Sequence, residues 1–354
     1  MSFRILLVDD SVLARHAVSD IIKKIPDAEV CGEASNGEDA LEKIIKLKPD
    51  IVILDVEMPV LNGIGVLKEI RSKGLGVPVL MLSVLTQLGA QTTIEALMNG
   101  ALDFVPKPGG RGVHLDEVEK LLLAKLHGII HHIKAKPALI PVTRPIKITE
   151  EKRTGSYELV VIGSSTGGPQ ALHYIMKDLP AKFPVPIIII QHMPPLFTAA
   201  FADRLDHVSP LHILEAKDGI KLERGCAYVC PGNMHLKIEN KNGSYFVKLS
   251  DDPPVHAHRP SVDVTLDSVV ETVGKKCIGV IMTGMGWDGA QGMKKLHEIG
   301  GVTLAQDEAS SVVYGMNRRA VELGAIQKSV PLKNLVEVLM SYFDKDKENA
   351  SDIS

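Results

Sequence analysis

Residues 159–168 read LVVIGSSTGG, an apolar β-branched run that breaks into serine, threonine and paired glycines. The run 159–162 predicts a strand, and residues 163–168 then set Ser165 on the turn from that strand into a helix. In a G-x-S-x-G turn the glycines relieve crowding, and the N–H groups that open the next helix can stabilise an oxyanion. Two phosphate-binding readings fail on composition. A dinucleotide loop needs glycine where Ser165 stands, and a phosphate loop ends in G-K-[ST], which is absent. An ordinary turn remains the alternative, so the Ser165 hydroxyl is the feature to explain.

A serine nucleophile needs a base, and the base needs an orienting acid. The run 186–190 reads as the next strand and delivers Gln191 and His192 at its carboxyl end. A further strand, 277–282, leads into Thr283, Gly284, Met285, Gly286, Trp287, Asp288 and Gly289. Parallel strands end on one side of a sheet, so Ser165, His192 and Asp288 are expected to converge as a catalytic triad. The backbone N–H groups of Thr166 and Met285 are the candidate oxyanion donors. The order Ser, His, Asp is not the Ser, Asp, His order of α/β-hydrolases, so the turn does not imply that fold. His256, His258 and Arg259 form a second polar cluster, read as substrate-side hydrogen bonding or loop structure because further metal ligands at suitable spacing are missing. His131 and His132 receive no role.

Residues 1–108 alternate short apolar runs (4–8, 29–31, 51–54, 77–82, 102–105) with helical patterns such as 11–24 and 38–47, closed by Pro26 and Pro49. Five such βα units imply a parallel sheet. Its strand ends carry Asp9 and Asp10, then Asp55, then Ser83, with Lys107 after the last. Three converging carboxylates repel one another unless a divalent hard cation, Mg2+ by preference, sits among them as a metal site of Asp9, Asp10 and Asp55. One carboxylate, best Asp55, could then accept a phosphoryl group held by Lys107 and the Ser83 hydroxyl.

On LLVDDS (6–11), ILDVEMPVLNG (53–63), MLS (81–83) and FVPKP (104–108), the first segment resembles the receiver domain of two-component response regulators. The resemblance implies phosphorylation at Asp55 by a chemotaxis histidine kinase, a switch through Ser83, Phe104 and Lys107, and a cis peptide before Pro108. From about residue 160 to 330 the chain resembles the catalytic domain of chemotaxis protein-glutamate methylesterases, the CheB family. The carrying residues are IGSSTGG, QHMPP, YVCPGNMH, HRPSVDV, TGMGWDGAQGM and AQDEASSVVYGM. That resemblance puts Ser165, His192 and Asp288 on the family's catalytic positions. It implies hydrolysis of glutamate methyl esters on methyl-accepting chemoreceptors, deamidation of receptor glutamines, and no cofactor for the esterase reaction.

With 354 residues and 45% hydrophobic content, the chain has material for two buried cores. The expected fold class is α/β: two doubly wound, mostly parallel sheets, a flavodoxin-like receiver over 1–133 and a Rossmann-like methylesterase over 157–345. A proline-rich linker, 134–156, joins them, and 346–354 is a disordered tail. A net charge of -3 argues against broad contact with nucleic acid. No apolar run approaches the roughly 18 residues of a membrane span, so a cytoplasmic protein without membrane insertion is expected. Cys226 and Cys230, spaced C-x3-C, read as core packing rather than zinc ligands, and with Cys31 and Cys277 they suit a reducing compartment. A DNA-binding response regulator would carry a short basic helical output domain instead. A phosphorylation-gated binding protein without catalysis would not need the serine, histidine and aspartate together.

Overall fold

A computed structural model describes residues 2–108, 115–134 and 156–343. Residues 135–155 of the expected linker and the expected tail lie outside the described residues.

The first sheet has strands β1 (Phe3–Val8), β2 (Ala28–Ala34), β3 (Ile51–Asp55), β4 (Val79–Ser83) and β5 (Asp103–Pro106), in the order β2-β1-β3-β4-β5. Every pairing is parallel. With helices on both faces, β3 and β4 are buried at every position, which is why they read as continuous apolar runs rather than alternating ones. Side-chain caps set the helix starts: Ser11 accepts from Ala14 N, Asn36 from Asp39 N and Asn62 from Gly65 N. The strand order reverses between β1 and β3, so Asp9, Asp10 and Asp55 emerge on either side of one crevice.

The second sheet contains β6 (Leu159–Ser164), β7 (Ile187–Gln191), β8 (His212–Glu215), β9 (Cys226–Val229), β12 (Cys277–Ile281), β13 (Val302–Gln306) and β14 (Lys328–Val330). Its order is β14-β13-β12-β6-β7-β9-β8, parallel throughout. An antiparallel hairpin, β10 (His235–Lys241) and β11 (Ser244–Ser250), turns through Asn242 and Gly243, both at positive φ, and packs on the helix Val262–Thr272. The chain leaves β6 toward β7 and later returns to β12 on the other side. The carboxyl end of β6 is therefore the switch point of this sheet, and Ser165 follows it directly.

The two domains meet at that edge. Phe104 of β5 stacks on Phe197 with centroids 4.4 Å apart and planes 13° from parallel. Gly167 N donates to Leu102 O at 3.2 Å, and the Thr166 hydroxyl donates to Asp103 Oδ2 at 2.6 Å. Gly128, on the receiver helix Leu115–Lys134, lies against the Met285 side chain.

Candidate active site and acidic pocket

In the receiver crevice Lys107 Nζ lies 2.7 Å from Asp55 Oδ2, 3.0 Å from Asp9 Oδ1 and 3.9 Å from Asp10 Oδ1. One ligand oxygen from each of the three acids lies within 4.8 Å of the others. Burial foremost, together with the neighbouring carboxylates, raises Asp55 to about 6 despite the hydrogen bond from Lys107. Asp9 is raised as well, chiefly by burial. Asp9 Oδ2 is buried and has no hydrogen-bond partner. An orphaned oxygen among hard donors fits a divalent cation such as Mg2+.

Ser83 and Phe104, the other residues expected to form a switch, are turned away from Asp55. The Ser83 hydroxyl lies 2.5 Å from Thr93 Oγ1 on the helix Gln87–Met98, and Phe104 faces Phe197 across the domain boundary. The cis peptide expected before Pro108 is not present: among the described residues only Arg259–Pro260 is cis. With a trans bond there, Lys107 N still donates to Ser83 O at 2.7 Å while its ammonium reaches Asp55.

At the second edge, Ser165, His192 and Asp288 follow three laterally adjacent strands, β6, β7 and β12. Ser165 N donates to Thr283 O, and the turn closes through Gly168 N on Ser165 O. The positive φ of this turn falls on Gly167, at 79°, so the serine itself is unstrained. Gly284 passes so close that a Cβ there would lie 2.9 Å from Ser165 Cβ, which presses the loop bearing Asp288 against the serine. Ser165 Oγ has no hydrogen bond among the described residues.

His192 Nε2 lies 2.8 Å from Asp288 Oδ2. With Nε2 donating to the carboxylate, Nδ1 carries the free lone pair, and Nδ1 is buried without a partner. Asp288 also accepts from Ser261 Oγ at 2.7 Å, Val262 N at 2.7 Å and Asp263 N at 3.2 Å, which sets it on the N-terminus of the helix Val262–Thr272. Burial pushes its carboxyl up, but His192 and these donors outweigh burial and bring it down to about 2.

The second polar cluster separates into parts. Arg259 braces the loop through Asn233 Oδ1 and the carbonyls of Asp251 and Asp252. His256 pairs with Asp263 at 3.2 Å and accepts from Trp287 Nε1 at 3.1 Å. His256, Asp263 and Asp288 could group around a metal, but four donors already occupy the Asp288 oxygens. His258 stacks on His192, with centroids 3.9 Å apart and planes 12° from parallel.

Neither candidate oxyanion donor, Thr166 N or Met285 N, has a hydrogen-bond acceptor among the described residues. The sequence reading missed Asp103, Phe197 and Lys125, which bonds Asp103, because their chemistry appears only when the domains meet. It also missed Ser261, whose place before an apolar helical run was a readable N-cap.

Residues 160–339 match the CheB methylesterase family, and residues 5–119 match the response regulator receiver domain. A protein of Archaeoglobus fulgidus named protein-glutamate methylesterase/protein-glutamine glutaminase is 42% identical over 349 residues, covering 96% of this chain and 98% of its own. A Pyrococcus abyssi protein of the same name is 40% identical over 345 residues, covering 95% and 92%. The crystal structure of the Thermotoga maritima CheB methylesterase catalytic domain superposes with TM-score 0.52 at 42% identity, covering 52% of this chain and 98% of that domain.

Proposed function

The chain belongs to the CheB methylesterase family and carries a response regulator receiver domain ahead of the family's catalytic domain, and on that premise we propose a phosphorylation-activated chemotaxis methylesterase. It hydrolyses glutamate methyl esters of chemoreceptors to glutamate and methanol and deamidates receptor glutamines, the pair of activities in its relatives' names. The observation that carries the esterase reading is a histidine whose Nε2 is tied to a low-pKa carboxylate while its buried Nδ1 has no partner among the described residues, at the end of the strand next to the one that Ser165 follows.

In this reading Ser165 Oγ attacks the ester carbonyl carbon while His192 Nδ1 takes the hydroxyl proton. Asp288 holds the imidazole and stabilises the imidazolium. The N–H groups of Thr166 and Met285 receive the oxyanion. Collapse of the tetrahedral intermediate expels methanol, or ammonia from a glutamine, with the proton returned by His192. Water activated by the same nitrogen then releases the glutamate and regenerates Ser165.

The receiver's part is regulatory. Asp9, Asp10 and Asp55 would hold Mg2+, which supplies charge compensation for a phosphoryl group arriving from a histidine kinase. Lys107 then holds a phosphoryl oxygen, Ser83 turns from Thr93 toward it, and Phe104 leaves Phe197, releasing the serine edge. The domains divide at residues 1–133 and 157–345. No helix among the described residues is long and apolar enough to cross a membrane, and we place the protein in the cytoplasm with the receptors' signalling helices. Methanol release from methyl-labelled receptor membranes, with and without a small phosphodonor and Mg2+, tests the reading. Release that rises with phosphodonor supports it, and no release under either condition contradicts it.

A further inference from the structure

A single hydrogen bond to Asp288 fixes one corner of the His192 ring and leaves the plane free to swing about the Nε2···Oδ2 line. The backbone of His192 is anchored, with its N–H on Ser164 O and its carbonyl on Gln191 Nε2, but those bonds do not set the ring plane. A parallel ring at 3.9 Å does. We propose that His258 is a positioning residue for the catalytic step: stacked face to face on His192, it fixes the plane of the imidazole that Asp288 holds by one edge, and so aims Nδ1 at Ser165.

The loop that delivers His258 is strained. His256 and Ala257 both adopt left-handed φ, 52° and 63°, a conformation non-glycine residues rarely take. Reciprocal backbone hydrogen bonds between Val255 and His258 close the turn, and contacts from Trp287 and Asp263 to His256 hold it. The His258 ring makes no hydrogen bond among the described residues. The charged and titratable groups that act on it are His192, Asp288, Lys125 of the receiver and His256. Burial first, then the neighbouring His192 ring, lower its pKa, against the pull of Asp288. A neutral ring is what the stack requires, because a charged one would repel the imidazolium formed at His192 during turnover.

The inference rests on the esterase reading, so its test includes a probe that does not depend on the receptor ester. Full-length protein with Mg2+ and acetyl phosphate is reacted with a fluorophosphonate, and phosphonylation of Ser165 is timed by intact mass; methanol release from methyl-labelled receptor membranes is measured in parallel. His258→Ala should slow both by roughly ten- to a hundredfold, through kcat with KM little changed. His258→Phe, which keeps a flat ring and no nitrogen, should recover most of the rate. An alanine variant as fast as the parent would overturn the proposal, as would a phenylalanine variant as slow as alanine, which would make a ring nitrogen the needed group. Brisk Ser165 labelling without methanol release would leave the positioning role standing and remove the receptor ester as substrate. An unlabelled parent would remove the nucleophile, and the proposal with it.

Discussion

Asp55 and Asp288 are both nearly fully buried carboxylates at the carboxyl edge of a parallel sheet, yet one is raised to about 6 and the other lowered to about 2. Burial acts the same way on each. The difference lies in what surrounds them. Asp288 meets a histidine, a hydroxyl and two N–H groups of a helix start, whereas Asp55 shares its crevice and its one lysine with two other acids. The first site is satisfied as built and keeps a fixed charge for an imidazole to lean on. The second is left electrostatically incomplete, which suits a site that gains a cation and then a phosphoryl group.

The sharpest break in that comparison comes from the candidate nucleophile. Ser165→Ala should cut methanol release by several orders of magnitude while leaving phosphorylation of Asp55 intact, and His192→Ala should do comparable damage. Near-parental turnover by a folded Ser165→Ala protein would mean the second edge is not a nucleophilic site.

The two carboxylates also predict opposite pH responses of stability. Asp55 binds its proton more tightly folded than unfolded, so its contribution is lost as pH rises from about 4 to about 6, by about 3 kcal/mol in full. Asp288 binds its proton less tightly folded, so its contribution is present above about 4 and lost as pH falls toward 2. Denaturant midpoints measured across this range should therefore show Asp55→Asn removing a decline between pH 4 and 6, and Mg2+ removing it in the parent. An unchanged profile in Asp55→Asn would place the strain elsewhere.

The smallest expected effect lies where the two regions touch. Asp103→Asn weakens a charge-assisted bond to the Thr166 hydroxyl, one residue from Ser165, and leaves Lys125 without its counter-charge. Unphosphorylated turnover should rise about three- to tenfold, as expected for roughly 1 kcal/mol off a docked state. A fall in turnover would mean that Asp103 supports the site rather than restraining it.

How much of this was legible follows from where each signal resides. Period-2 and period-3.6 patterns with proline stops are local, so the five receiver strands and the strands before Ser165, His192 and Asp288 could be read directly. The acid pair, Asp55 and Lys107 were legible because strand ends of a parallel sheet must share an edge. Strand order in the second sheet was not, since nothing local says that β12 returns beside β6. The Asn242–Gly243 hairpin carried a readable turn pattern that a search for βα units passes over. His258 could be flagged only as polar, because a ring stack depends on two loops 66 positions apart meeting at 3.9 Å. Phe104 was read as a switch residue from its family position; its partner Phe197 looked like any core aromatic until the domains met.

The central claim is that the unphosphorylated receiver restrains the serine edge against which it packs. It is tested most directly by comparing methyl-ester hydrolysis on receptor membranes by the fragment 156–354 and by the full chain, each with and without acetyl phosphate. The account predicts a fragment faster than the unphosphorylated full chain and indifferent to phosphodonor, with the full chain activated toward it; a tenfold gap corresponds to about 1.4 kcal/mol of docking bias. A folded fragment slower than the unphosphorylated full chain would contradict it and make the receiver a positive contributor to catalysis.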